Sequence, residues 1–347
     1  MTRQAVARVL KIGAVTGSDA IRELRFRGQH EIDVLGNNDA WRLLHEQRER
    51  LRWRRLQLTP GYFRRDGRWN LDCFDLLFNL ISDADQNPRV LEIAHRLLGD
   101  GKRPVINAPE AVMRTTRNGV ARLLADLPGV TVPRVERLSA KQHARDPNRL
   151  AALDFPFPAI LRRVGSHTGQ TARLCANAAE VALALAGQRH DHYLTEFVDF
   201  RSPDGVYRKF RIFVFGEQLI LRHMLADHSW NIHAAARGGM MLGRMDLQAE
   251  ERAYFADGLA QHYPGAWAGL RRLRARIGLD YFGIDCHLTG DGRVVVFEVN
   301  GTMNFYPLRT EPQYAYVAGC IAPSLAAMRA LLESKASAPD TTAGDSG

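Results

Sequence analysis

The most restrictive feature of this sequence lies near its C-terminal end, where Tyr281–Leu288 and Arg293–Val299 flank Gly290-Asp291-Gly292. Apolar and polar side chains alternate along the first run, and a glycine-rich break between two such runs predicts a hairpin. A two-residue Gly290-Asp291 turn, or a four-residue loop, sets Asp285 opposite Val296 and puts Glu298 and Asn300 on the same face. Diagonal neighbours on that face are about 7–8 Å apart. The other face is apolar: Phe282, Ile284, Cys286 and Leu288 meet Val295, Phe297 and Val299. One side therefore packs on a core while the other gathers oxygens.

Two carboxylates side by side repel unless something positive lies between them. An ordinary wet face solves this with mixed charge, but positions 283, 285, 296, 298 and 300 carry no lysine or arginine. A hard divalent cation is the better solution, since Mg²⁺ takes oxygens from one or two carboxylates and completes its shell with water and phosphate. Asp285, Glu298 and Asn300 are the expected metal ligands, for Mg²⁺ or Mn²⁺ in its place.

An earlier hairpin, Val206–Phe215 and Gln218–Leu225 around Gly216-Glu217, has the complementary charge. A two-residue turn pairs Phe215 with Gln218 and sets Arg211 opposite Arg222, with Lys209 on the same face. Like charges so placed are destabilising. Either an anion sits between the guanidinium groups, or a bulge separates them. Upstream, Gly165-Ser-His-Thr-Gly169-Gln170 follows the strand-like run Phe157–Val164. Glycines let backbone N–H groups approach phosphate, Ser166 and Thr168 add donors, and Arg162 adds charge. Taken alone, two glycines in a loop are commonplace.

Around these pieces the chain reads as alternating strands and helices. Phe74–Ile81 has buried-strand length, Asn87–Leu98 has helical spacing, and Pro104–Asn107 forms a short strand, so this β–α–β order predicts a parallel sheet. A helix is expected from Pro109 to about Leu127, others over Ala178–Ala186, Glu250–His262, Trp267–Ile277 and Tyr314–Glu333, and a strand over Tyr193–Phe200. Residues 10–70 show no clear pattern. The tail 334–347 lacks an apolar stripe and is expected to be disordered.

The order of parts resembles the ATP-grasp superfamily, in particular the branch of glutathione synthetase, ribosomal-protein glutamate ligase and D-alanine–D-alanine ligase. The resemblance covers roughly residues 72–310. It implies an N-terminal parallel-sheet α/β domain over 1–108, then a two-lobed α+β ATP-grasp domain over 109–333, with lobes of about 133–200 and 201–333. It places nucleotide-binding positive charge at Arg117 and Arg162, where that family usually has lysine. The phosphate loop falls at Gly165, Ser166 and Gly169, and the hinge against adenine at Glu196, Phe197 and Val198, with Asp199 toward the ribose. Arg211, Arg222 and Asn231 fall on the catalytic and substrate side. The reaction implied is ligation of a carboxylate to an amine, with small-molecule or peptide substrates, driven by ATP and one or two Mg²⁺ through an acyl phosphate. A kinase on the same fold, or a non-catalytic nucleotide- or nucleic-acid-binding protein, is the alternative.

Bulk properties bound the rest. The 347 residues, 46% hydrophobic and 24% charged, suit one or two globular domains. No apolar run reaches the roughly 20 residues that span a bilayer. Cys73, Cys175, Cys286 and Cys320 form no CxxC pair, which argues against a zinc site or a disulfide framework and for a cytoplasmic location. The net charge of +9 is densest over Arg48–Arg55, with Trp41, Trp53, Tyr62, Phe63 and Trp69 nearby. No nucleic-acid motif accompanies it, which disfavours that partner. Homo-oligomerisation is left open.

Overall fold

The computed structural model describes residues 9–20, 24–27, 31–64, 69–99, 102–146, 150, 152–166, 171–306 and 311–337. Its N-terminal part contains β1 (Leu10–Gly17), a two-stranded ribbon of β2 (Leu24–Arg27) and β3 (Glu31–Val34), then β4 (Leu51–Leu58), β5 (Leu76–Asn79) and β6 (Val105–Ile106). Four of these form an all-parallel sheet in the order β4-β1-β5-β6. The helix Pro88–Leu98 crosses from β5 to β6, and its apolar spacing becomes a buried stripe of Val90, Leu91, Ile93, Ala94 and Leu98. Residues 10–70, unassigned from the sequence, thus supply β1 to β4 and the short helix Ala40–His45.

The single helix expected over 109–127 is two, Pro109–Met113 and Arg117–Leu124. Thr116 interrupts them because its hydroxyl accepts from the Gly119 N–H at 3.2 Å, the N-cap geometry that begins a new helix. Arg117 consequently stands at the first helical position. The short strand β7 (Val130–Thr131) follows. β8 (Val135–Leu138), β9 (Ala159–Arg163), β10 (Arg173–Cys175) and β11 (His192–Glu196) make an antiparallel sheet ordered β10-β9-β11-β8. The strand expected to run on to Phe200 stops at Glu196.

β12 (Tyr207–Phe215), β13 (Gln218–Asp227), β14 (Tyr281–Leu288) and β15 (Val294–Asn300) form the third sheet, β13-β12-β14-β15-β7, antiparallel except for β7 beside β15. One face packs Ile212, Val214, Phe282 and Ile284 in the same core as Leu270, Leu273 and Ile277 of the helix Pro264–Ile277. Phe213, Phe215 and Tyr281 lie in a second core with Met328, Leu331 and Leu332 of the last helix, Ile321–Ala336. That helix runs three residues past the expected Glu333, while 338–347 lie outside the described residues. Contrary to the sequence reading, Pro312–Ala336 is long and apolar enough to cross a membrane, with a mean hydropathy of 1.5 over its most apolar stretch. Here it serves as a core element: Tyr314, Val317, Cys320, Ala327, Met328, Leu331 and Leu332 are all buried.

Two side chains tie the first sheet to the third. Asn107, fully buried and with φ of 55°, accepts from the Asp280 and Tyr281 N–H groups at 2.9 Å each and donates to Tyr281 O at 2.7 Å. Asparagine tolerates this left-handed backbone, and its amide matches the N–H and C=O that Tyr281 presents on one edge of the strand. Asp39 accepts from Phe305 N–H at 2.9 Å and Tyr306 N–H at 2.8 Å. Burial is the main reason its carboxyl is pushed up to about 6, against the lowering effect of those N–H groups and Arg42. Replacing Asn107 with alanine strands two buried N–H groups and a carbonyl, so denaturant titration should show a loss of about 2–4 kcal/mol. Asp39 makes a pH prediction. Its unfolded carboxyl titrates near 3.8 and its folded one near 6, so the folded chain holds the extra proton between them. Stability should therefore fall as pH rises from 4 to 7, by roughly 3 kcal/mol from this group, and Asp39→Asn should flatten that slope.

Candidate functional site

The third sheet carries one polar row from edge to interior. Glu298 pairs in register with Asp285, Asp285 with Arg211, and Arg211 with His223. Four side chains from four strands therefore stand side by side, about 5 Å from one to the next. All four lie on the wall of a cavity of about 820 Å³.

The register differs from the expected one in an instructive way. Thr289 N–H donates to Arg293 O and Arg293 N–H to Thr289 Oγ1, so Thr289 lies opposite Arg293, the turn adds one residue, and Cys286, not Asp285, lies opposite Val296. A bulge between Asp285 and Cys286 then adds a second. Two one-residue shifts restore the face alternation, and Asp285 meets Glu298 directly instead of diagonally. Val296 joins the apolar core opposite Cys286, and Phe297, the extra residue of the bulge, packs against the same core with its ring 4.4 Å from that of Phe200; both also line the cavity.

The basic hairpin has its own bulge, between Arg211 and Ile212. The clash predicted between Arg211 and Arg222 is relieved this way, and His223 takes the place opposite Arg211. Arg222 is turned out of the cavity wall: it is buried, donates to Phe305 O at 2.8 Å and sits 5.4 Å from the Phe305 ring. Its expected place beside the reacting acid is corrected to a structural one. His223, half-buried, is held well below the usual histidine range by burial and by the charges of Arg211, Arg222, Arg237 and Lys209, so it is neutral at pH 7.

Each carboxylate has a cation. Arg211 grips Asp285 with two parallel bonds, Nε to Oδ1 at 2.7 Å and Nη2 to Oδ2 at 2.8 Å, and Lys209 Nζ lies 3.4 Å from Oδ2. Burial alone would raise the Asp285 carboxyl, but these two cations outweigh it and hold it far below the carboxylate range. Arg117 Nη2 lies 2.7 Å from Glu298 Oε1, and Asn300 Nδ2 donates to the same oxygen at 2.7 Å. Asn300, expected as an oxygen ligand, thus offers its nitrogen here, and its Oδ1 accepts from Thr302 and Met303 N–H. Among the described residues, no cluster of three or more His, Cys, Asp and Glu side chains is built to hold a metal. The hard oxygens of Asp285 and Glu298 do fit Mg²⁺ that arrives with phosphates; Asn300 fits after a turn of its amide.

The other predicted residues divide. Arg162 lines the cavity near Arg117, and burial followed by the Arg117 charge pulls it down to about 10. Its Nε donates to Ser166 Oγ at 3.3 Å. Gly165, with φ of +69°, accepts from Gln86 Nε2 at 2.7 Å through its carbonyl. Gly165 and Ser166 border a narrow chamber of about 30 Å³ with Arg117 and Glu298, while Gly169 and the rest of 167–170 lie outside the described residues. Glu196, Phe197 and Val198 line the cavity with Val120, Val135 and Ile160, an apolar slot suited to a flat ring. The Phe197 N–H is taken by Pro158 O at 3.1 Å and the Glu196 N–H by Arg134 O at 2.9 Å. Asp199 stays off this wall; it is exposed and bonded to Arg201. Asn231 does line the cavity, on a loop anchored by Lys209 Nζ to Ile232 O at 2.8 Å.

Sequence reasoning missed the N-terminal contribution to this wall, from Thr16, Asn38, Asp39, Trp41 and Arg55. The interleaved arginines and tryptophans of 41–55 were the visible signal, weighed above only as a possible nucleic-acid-binding stretch.

No family model and no curated protein matches this chain. Among solved structures, it is similar to the VanG D-Ala:D-Ser ligase from Enterococcus faecalis, with 14% identity over 94% of this chain and 100% of that one and a TM-score of 0.53. The D-alanine–D-alanine ligase from Bacillus anthracis is similar at 11% identity, over 94% and 99% of the two chains, with a TM-score of 0.50. Identities this low speak to the fold. The sheets described above, and the cleft between the second and third of them, give this chain the ATP-grasp fold.

Proposed function

We propose that this protein is a Mg-ATP-dependent ligase that joins a carboxylate to an amine through an acyl phosphate, releasing ADP and phosphate. The observation that carries the reading is the row Glu298–Asp285–Arg211 on the floor of a cavity walled by both antiparallel sheets. On this reading the chain divides at 108/109, the second and third sheets are the two lobes that enclose the nucleotide, and the cytoplasm supplies ATP.

The apolar slot of Val120, Val135, Ile160 and Phe197 takes the adenine, and Arg117 and Arg162 meet the phosphates. Asp285 and Glu298, with Asn300 after its amide turns, would hold Mg²⁺, which offsets the charge developing on the transferred phosphoryl group. Arg211 lies next in the row and orients the attacking carboxylate. Its bidentate bond to Asp285 fixes the guanidinium plane beforehand, so little reorganisation is needed when substrate charge moves. Neutral His223 and Asn231 border the side from which the amine approaches. Because the chemistry is positioning and charge stabilisation, no nucleophilic Ser or Cys is required.

The VanG and Bacillus anthracis proteins are named as ligases, which agrees with this assignment. A coupled assay should find ADP release that needs Mg²⁺, an acid and an amine together. Glu298→Gln should cut it by at least about 100-fold, with the thermal unfolding midpoint little changed. ADP release from an acid or alcohol with no amine consumed, and with the phosphoryl group retained on it, would instead make the protein a kinase.

A further inference from the structure

The polar row on the third sheet has an order as well as a composition. Glu298 and Asp285 stand at one end, Arg211 follows, and His223 closes the row on β13. Successive members are about 5 Å apart, so His223 lies roughly 10 Å from Asp285 on the same face. The proposed reaction has the same order. Metal and transferred phosphate belong with the two carboxylates, and the acid belongs with Arg211. The amine must then reach the acyl carbon from a side that metal and phosphate do not fill, and the next group on that side is His223.

His223 is also the uncommitted member of the row. Glu298 is held by Arg117, and Asp285 and Arg211 hold each other. The imidazole is half-buried on the cavity wall and makes no hydrogen bond among the described residues. Neither of its nitrogens is a sealed, unpartnered atom, so the ring is open to a ligand. His233, the other histidine on this wall, lies instead among Lys209, Arg162 and Asp227.

The surroundings decide what the ring can do. The charges that act on it are those of Arg211, Arg222, Arg237 and Lys209, all positive. A protonated imidazole would be one more cation in that group, so the ring stays neutral and presents one acceptor and one donor. The acceptor suits an N–H of an uncharged amine, whereas an ammonium would meet only like charges.

We propose that His223 holds the amine substrate: its acceptor nitrogen takes an N–H of the free base and turns the amine lone pair toward the acyl carbon beside Arg211. The inference rests on the ligase reading. The lone pair forms the C–N bond, the bond from the acyl carbon to the phosphate oxygen breaks, and its electron pair leaves with phosphate, which also collects the surplus amine proton. The imidazole keeps no proton; it supplies direction, from which an oriented attack gains rate. Arg211 is fixed by Asp285 through Nε and Nη2, so its hold on the acid does not depend on the ring.

The test uses the full chain with Mg²⁺ and ATP labelled at the β,γ-bridging oxygen. The acids are acetate, succinate, alanine and glutamate; the amines are glycine, alanine and lysine. Label leaving the bridge with acid alone reports the acyl phosphate, and dependence of product on amine reports the second step. His223→Leu should leave the label exchange within about twofold of wild type and cut kcat/KM for the amine about tenfold, through loss of one hydrogen bond and its alignment. His223→Ala, which opens the wall instead of filling it, should show the same split, and His223→Gln, whose amide reaches close to the Nε2 position, should recover most of the loss. An unchanged amine kcat/KM in His223→Leu and His223→Ala, loss of label exchange in step with it, or no recovery by His223→Gln would overturn the assignment while the ligase reading stands. A wild-type chain that neither moves the label nor releases ADP with any acid–amine pair sinks the ligase reading, and this inference with it.

Discussion

The bidentate contact between Arg211 and Asp285 is the interaction on which the site depends. Asp285 is 4% exposed, on a strand whose apolar side chains are committed to two apolar cores. A bare carboxylate there would take a proton sooner than remain charged. Arg211 and Lys209 reverse that outcome, so the floor of the cavity carries a permanent negative charge in a place where charge is expensive. Replacing such a pair with apolar residues of similar volume often costs nothing in stability. Its presence here therefore points to use, not to holding the sheet together.

The geometry of that contact depends on two irregularities. One bulge inserts Arg222 into β13 opposite Arg211–Ile212 and the other inserts Phe297 into β15 opposite Asp285–Cys286, so the two flank the cross-strand pair Arg211–Asp285 from its outer sides. Bulges re-aim side chains and sharpen local twist, and they gather next to active sites. One turns Arg222 into the protein, where it anchors Phe305, and brings His223 to the cavity. The other leaves Phe297 as the unpaired extra residue and sets Glu298 directly across from Asp285 in its place. Without them, two arginines would face each other, and Asp285 would lie opposite Phe297 with Glu298 turned to the other face.

This explains what could be read in advance. Strand alternation marked the face of Asp285 and Glu298 correctly, because the turn and the bulge each shift register by one and the errors cancel in parity. Arg222 shows the opposite case: a single bulge moved it, and nothing in Phe210–Leu225 signals where an extra residue will sit. Asp199 failed for a local reason, since Arg201, two residues on, holds its side chain at the surface. Asp39 was out of reach altogether. Its partners are 266 and 267 residues away, and an aspartate before a short helix reads as an ordinary cap until those N–H groups are in place. Helix Pro88–Leu98 and the two hairpins were legible because their patterns are local; the N-terminal wall was not, because its meaning is set by the third sheet.

Charge along the cavity completes the argument. Among its described wall residues, Arg55, Arg117, Arg162, Lys209 and Arg211 stand against Asp39, Glu196, Asp285 and Glu298. His223 and His233 add no positive charge at neutral pH, since burial and neighbouring cations hold both low. Arg211 and Lys209 answer Asp285, and Arg117 answers Glu298. Among the described residues Arg162 has only a hydroxyl, that of Ser166, within hydrogen-bond distance, and its own charge is strained by Arg117. An anion entering between Arg117 and Arg162 would relieve that repulsion, and a cation brought with it would meet Glu298 and Asp285. The wall therefore favours a ligand carrying both signs at once over either alone, the combination that the proposed Mg-ATP would bring.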